Sequence, residues 1–344
     1  MDRPRGGAGV NGLLVAAGLM VAGLWASGVF AADTPAAPTA SPGETLTSID
    51  LPAEVDAPAE RVTPPGPTIG GCTVFPASNA WNQDISQLPI HPRSAQMIAT
   101  IQSIGGDDLH PDFGAEPDYG IPYIVVPEDQ ATVPIAYDAY GDESDPGPFP
   151  IPLDAPVEAG SDAHVLVVQQ GACTLYELFA ASPMTGGWQA DLGAKWDLTT
   201  GALRPIGWAS ADAAGLPILP GLVRYDEVAS GVIRHAIRVT FSKTQRGFIL
   251  PATHFASSDG NPNLPAMGQR LRLRADYDIS SLTGEARVIA VAMQTYGLIV
   301  ADNGSNWFFQ GATDPRWDDD DLNQLKRIPG TAFEVVDSGP VRVG

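Results

Sequence analysis

Glu177 is a carboxylate set in an apolar strand. In Thr174–Phe179 a period of two puts it on the face of Leu175 and Phe179, while Tyr176 and Leu178 take the other. Neither face is polar, so its carboxyl is partly desolvated and pushed toward the range in which an acid donates protons near neutral pH. An edge-strand glutamate paired with Arg204, Arg234 or Arg238 would satisfy the same pattern. Asp302 follows the apolar run Leu298–Ala301 and precedes Asn303-Gly304-Ser305-Asn306-Trp307. That places it at a strand end beside a turn, a seat that serves either a catalytic acid or an aspartate bonding the turn backbone. Between Gly141 and Pro148 lie Asp142, Glu143 and Asp145 with two prolines, a stiff loop that holds carboxylates at fixed spacing. Paired carboxylates hydrolyse glycosidic bonds, one protonating the leaving oxygen and the other attacking or activating water.

Histidines and tryptophans add to this set. His235 shares a strand face with Ile237 and Val239 and is bordered by Arg234 and Arg238, a position for a proton shuttle or for a satisfied core histidine. His110, in Leu109-His110-Pro111-Asp112-Phe113-Gly114, and His254, beside Phe255, lie in loops next to aromatics. No two histidines stand at zinc-ligand spacing. Trp188, Trp307 and Trp317 have glycine, asparagine and aspartate neighbours, the surroundings of an aromatic platform for sugar faces and also of loop anchors. Asp212, Asp226, His110 and Arg234 would complete the substrate-binding set. The carboxylate oxygens of the acidic loop also suit Ca²⁺; no other cofactor is implied. Beyond residue 12 the sequence lacks G-x-S-x-G, H-E-x-x-H, C-x-x-C, a P-loop and G-x-G-x-x-G, which disfavours lipase-like, zincin, dithiol and nucleotide chemistry.

The elements that must position these residues are mostly strands. Short apolar runs at Ile121–Val126, His164–Val168, Cys173–Ala180, Val232–Thr240, Gly247–Leu250, Arg270–Leu273 and Gly297–Ala301 are separated by turn-forming clusters. Helical periodicity appears in Ser94–Ser103, in Leu282–Tyr296 and in Asp318–Arg327, whose acidic start and basic end match the helix dipole. The pattern predicts a mainly β fold, an antiparallel β-sandwich or jelly-roll-like sheet pair with a few peripheral helices.

The chain begins with Arg3 and Arg5, an apolar run from Leu13 to Phe30, and small residues at Val29 and Ala31. This reads as a signal peptide over residues 1–31, with an uncleaved anchor as the alternative and the only membrane association expected. The expected location is extracellular, whether secreted, periplasmic or at the cell surface. Residues 32–70, rich in Pro, Ala and Thr, read as a linker, and 71–344 as a single globular domain, expected to be monomeric. Forty acidic against 19 basic residues give a formal charge of −21, which repels nucleic acid and anionic membranes and leaves a neutral or cationic partner, foremost a neutral glycan. In an exported chain the two cysteines, Cys72 and Cys173, are expected to form a disulfide.

The strings Gly71–Pro76, Asn79–Asn82, Leu109–Gly114, Leu203–Trp208, Ala211–Pro217, Arg224–Glu227 and Tyr296–Ser305 together resemble an uncharacterised family of secreted bacterial proteins. The resemblance covers most of Gly71–Asp337 and implies that this stretch is one unit, without implying a fold or an activity.

The functional expectation is a secreted polysaccharide-active hydrolase, a glycosidase whose carboxylate pair comes from Glu177, Asp302, Asp142 and Glu143, with His235 moving protons. Two alternatives use the same residues: a noncatalytic carbohydrate-binding or cell-surface module, and a polysaccharide lyase in which Arg234 or Arg238 neutralises a uronate.

Overall fold

β-Branched and aromatic runs form the strands, and they do so in mixed sheets. The computed structural model describes residues 66–343. The expected signal peptide, residues 1–31, and all but the last residues of the expected linker lie outside the described residues. Ordered structure reaches back before Gly71, because Thr68–Ile69 pairs with Cys72–Thr73. Helices follow their sequence signals. Ser94–Ile104 ends at Gly105, Gly284–Thr295 ends two residues before Gly297, and Asp319–Leu322 begins under Asp318, whose side chain accepts from the amides of Asp320 and Asp321. The last of these continues as 3₁₀ turns over Asn323–Arg327.

The largest sheet has six strands in the spatial order Phe333–Val335, Arg270–Leu273, Leu298–Asn303, Ile237–Phe241, Phe308–Gln310, His110–Asp112. A four-stranded sheet runs Leu192–Asp197, Thr174–Phe179, Val165–Gln169, Tyr123–Val126, and a three-stranded one runs Ile135–Tyr137, Gly187–Ala190, Ser182–Met184. The sheets are not wholly antiparallel as the turn-rich pattern predicts. Ile237–Phe241 lies parallel to Leu298–Asn303, and further parallel pairs join His110–Asp112 to Phe308–Gln310 and Tyr123–Val126 to Val165–Gln169. Parallel neighbours need a long crossover, and the chain between Phe241 and Leu298, with its own strand and helix, supplies one. The strand run Gly247–Leu250 makes only isolated bridges through Phe248.

The four-stranded sheet separates two hydrophobic clusters. Leu166, Val168 and Leu175 face the larger cluster, while Val165, Val167, Tyr176 and Leu178 join Trp188, Phe149 and Ile151 in the smaller. Alternation along these strands therefore decides which interior each residue enters, and both interiors are apolar. Cys72 and Cys173 are disulfide-bonded, tying the first hairpin to the head of Thr174–Phe179 across 101 residues of sequence. Among the described residues no helix is long and apolar enough to cross a membrane.

Replacing both cysteines with serine is expected to lower stability by about 4 to 5 kcal/mol, because the link closes a long loop in the unfolded chain. Calorimetry should show a fall in thermal midpoint on the order of 10 °C. An unchanged midpoint would mean that the link restrains nothing that folding does not already restrain.

Candidate functional site

The carboxylates do not gather where apolar strands suggested, but at the carboxyl ends of the parallel pair Ile237–Phe241 and Leu298–Asn303. Their register shifts between Val239 and Thr240, so that Val239 pairs with Val300 but Thr240 with Asp302, leaving Ala301 as an inserted residue. Such a bulge re-aims the side chain that follows it. Asp302 accordingly lies between two adjoining cavities and lines both. The first, about 240 Å³, is walled by Asp112, Glu158, Asp162, His164, Arg238, Thr240 and Gln310, among others. The second, about 340 Å³, adds Tyr140, Glu143, Phe179, His254 and the segment Ala209–Ala211. Asp162 and Asn303, like Asp302, are shared by the two.

The cleft floor is a buried ion pair. Arg238, on the same strand face as Thr240, donates through Nη2 to Asp212 at 3.0 Å and through Nε at 3.3 Å. Burial pushes Asp212 up to about 7 against the pull of Arg238, and the charge of Asp302 adds to the rise. Asp302 is itself raised, first by burial, with Arg238 opposing and the charge of Asp162 contributing. Asp112 is raised by burial as well. The loop after Asp302 is held from several sides. Thr240 Oγ1 donates to the Ser305 carbonyl at 2.8 Å, and Asn306 Oδ1 accepts from the Ser242 amide at 2.8 Å.

His164 closes the wall opposite. Its Nδ1 contacts the Glu158 carboxylate and its Nε2 lies 3.0 Å from the Ala211 carbonyl, so both ring nitrogens face acceptors and only the doubly protonated ring satisfies both. Burial works against that charge, but the bond and charge of Glu158 outweigh it and the imidazole is raised. Sequence reading missed this group because His164 opens an apolar strand run and Glu158 lies in a Gly/Ser loop. The spacing Glu158-x₅-His164 with Asp162 between them was the available signal.

The structure redistributes the other candidates. Glu177 is fully buried and lines neither cavity. Its carboxylate accepts from the amides of Ile218 at 2.9 Å and Leu219 at 3.0 Å, and from Trp196 Nε1 at 3.1 Å. It faces the larger cluster beside Leu175, as the alternation required, and there it braces a loop instead of meeting substrate. His235 is likewise sealed, between its neighbour's carbonyl, Ala236 O, and Glu227 Oε2 at 3.0 Å. Asp142 is exposed away from both cavities, whereas Glu143 borders the larger one and accepts from the Ala209 amide at 2.7 Å. Asp145 pairs with Arg204 at 2.6 Å. Asp226 and Arg234 line a separate polar cavity of about 170 Å³ near Gly66.

The three candidate tryptophans form no sugar platform. Trp188, Trp307 and Trp317 are buried, and their indole N–H groups bond Pro152 O, Gln102 Oε1 and Ala312 O. Filling core volume while a backbone or amide oxygen takes the N–H satisfies both parts of the side chain. His110 reaches the edge of the site instead, stacked on Phe308 with ring centroids 4.0 Å apart. Among the described residues no cluster of three or more His, Cys, Asp or Glu side chains is arranged to hold a metal ion. Comparison with protein-family models, with curated proteins and with solved structures finds no match to this chain in any of the three.

Two variants test these assignments. Glu177→Ala is expected to lose about 3 kcal/mol or more, since it strands buried N–H donors; chemical denaturation showing less than about 1 kcal/mol would remove its bracing role. The raised folded pKa of His164 means that its imidazolium stabilises fully below its ordinary value of 6.5 and stops doing so as pH rises through the higher folded value. His164→Gln should therefore fall furthest below the wild type at about pH 5.5 and converge toward it at higher pH. A gap independent of pH would contradict the charged ring.

Proposed function

We propose that this protein is a secreted polysaccharide-active hydrolase that cleaves a glycosidic bond in the cleft at Asp302. The observation that carries the reading is the position of Asp302, desolvated and raised, on the boundary of two cavities that it shares with Asp162. In this scheme Asp302 protonates the leaving oxygen, and Asp162 attacks the anomeric carbon or activates water. Sugars on either side of the bond would occupy the two cavities. Glu143 belongs to the wall of the larger one and Asp112 to the smaller, with His110 stacked on Phe308 at its edge, and the buried pair of Arg238 and Asp212 forms the floor.

Export fits this activity, because a polymer must be met outside the cell, and the bonded cysteines suit an oxidising compartment. Three strings that carry the resemblance to uncharacterised secreted bacterial proteins, around Asp112, Asp212 and Asp302, supply walls of the cleft. We also read the four- and three-stranded sheets, which share the smaller cluster, as a small β-sandwich. The binding-module alternative loses its aromatic strip to the core. A lyase in this cleft would need a free cation for a uronate, but Arg238 is committed to Asp212 and Arg234 lines the separate cavity near Gly66.

Incubation with a panel of neutral and charged polysaccharides should release reducing ends without the absorbance of unsaturated products. Asp302→Asn and Asp162→Asn are each expected to slow release by about 10²- to 10⁴-fold with the fold intact. Unsaturated products would point to the lyase, and full activity in both variants would dismiss this carboxylate pair.

A further inference from the structure

Two side chains of the larger cavity, Glu143 and His254, come from loops far apart in sequence and are fastened to the same short segment, Ala209–Ala213. Glu143 Oε2 accepts from the Ala209 amide at 2.7 Å. His254 Nδ1 lies 2.8 Å from the Ala213 carbonyl, and the backbone amides of Thr253 and His254 donate to the adjoining Ala214 carbonyl at 2.9 and 3.2 Å. A carbonyl oxygen only accepts, so Nδ1 carries the proton of the neutral ring and the lone pair stands on Nε2. Backbone contacts thus fix both the ring's position and its tautomer.

Each side chain keeps one polar atom in reserve. Among the described residues Glu143 Oε1 and His254 Nε2 make no hydrogen bond, and neither is sealed, since both residues are half-buried and line the cavity. Both atoms are acceptors. The fastening segment adds the methyl groups of Ala209, Ala211 and Ala213, while Phe179 and Leu192, opposite each other at the end of the four-stranded sheet, add a ring and a branched chain. A pyranose has both matching parts, hydroxyl donors along its edge and C–H groups on its face. A uronate would instead bring its carboxylate against Glu143, Asp162 and Asp302, all of which line this space.

We infer that the larger cavity is a subsite for a neutral sugar, in which His254 through Nε2 and Glu143 through Oε1 accept hydrogen bonds from two hydroxyls while the C–H face of the ring lies on the alanines and Phe179. This rests on the hydrolase reading of the same cleft. His254 acts here as a binding residue, and the proton transfers of the reaction stay with Asp302 and Asp162.

The test takes the purified full chain with maltotriose, cellotriose, laminaritriose and trigalacturonate, and reads calorimetric binding, release of reducing ends, and acylation of histidines by diethyl pyrocarbonate mapped by mass spectrometry. The reagent attacks accessible, unprotonated imidazole nitrogens. At least one neutral trimer is expected to bind and, at about ten times its dissociation constant, to slow acylation of His254 about tenfold, leaving His91, which lines neither cavity, unaffected. His254→Asn retains an N–H for the Ala213 carbonyl and removes Nε2, so it should weaken that trimer about tenfold with the thermal midpoint kept. Should the variant fail to fold, protection of the wild-type ring decides. A ring that resists acylation, no neutral trimer that binds and protects it, trigalacturonate binding as tightly, or undiminished binding in the folded variant would overturn the inference. Cleavage of a neutral polymer with His254 unprotected and dispensable would remove it and keep the hydrolase. Binding and protection without cleavage of any polymer would keep it and remove the hydrolase.

Discussion

Arg238 and Asp212, both shut away from water, impose the constraint on which the cleft depends. A guanidinium placed mid-strand in the central sheet is tolerable only with its charge matched, and breaking such a pair leaves an uncompensated buried ion. The pair ties the Ser210–Leu216 segment to the strand Ile237–Phe241, and that segment in turn presents the Ala211 carbonyl to His164 and borders the larger cavity. Gly215 lets the segment turn back on itself. Its φ is +69°, and a Cβ there would come within 2.5 Å of the Trp208 carbonyl. Charge matching, loop path and cavity wall are one problem solved together.

The protein repeats this use of acids as internal struts. Glu177 gathers the amides that open the 3₁₀ turn at Leu219, Glu227 stands between His235 and Arg224, and Glu334 holds Arg272 beside the strand Phe333–Val335. At Glu177 and Glu227 burial favours the neutral acid, and what decides the outcome is the partner set. At Glu227, His235 and Arg224 overcome burial and hold the carboxyl below its usual range, whereas at Glu177, which has N–H donors without an adjacent ion-pair partner, burial prevails and the carboxyl is raised. Asp302 differs from these struts in opening onto empty volume.

The cleft also illustrates why a strand end serves chemistry better than a strand middle. Within a sheet covered on both faces, a carboxylate is consumed by the nearest donors, which is the fate of Glu177. At the carboxyl ends of the parallel pair the backbone stops absorbing side-chain contacts. Loops from distant sequence, Glu158–His164 and Ser210–Leu216, meet there and leave space between them. The bulge at Ala301 turns Asp302 into that space.

Much of the architecture was legible in the residues alone. Apolar runs marked most of the strands, glycine and aspartate marked the helix ends, and the presence of just two cysteines implied their bond, because these signals act over a few residues or by elimination. Asp302 was legible for the same reason, as an acid between an apolar run and a turn. Tertiary structure decided the rest. Period-two alternation placed Glu177 on a face but could not say that the face was covered. Glycine and aspartate around Trp188, Trp307 and Trp317 described their loops and not the rings' burial. The meeting of His164, Glu158, Arg238, Asp212 and Asp302 depended on a parallel crossover and a one-residue bulge, long-range features that no local pattern encodes.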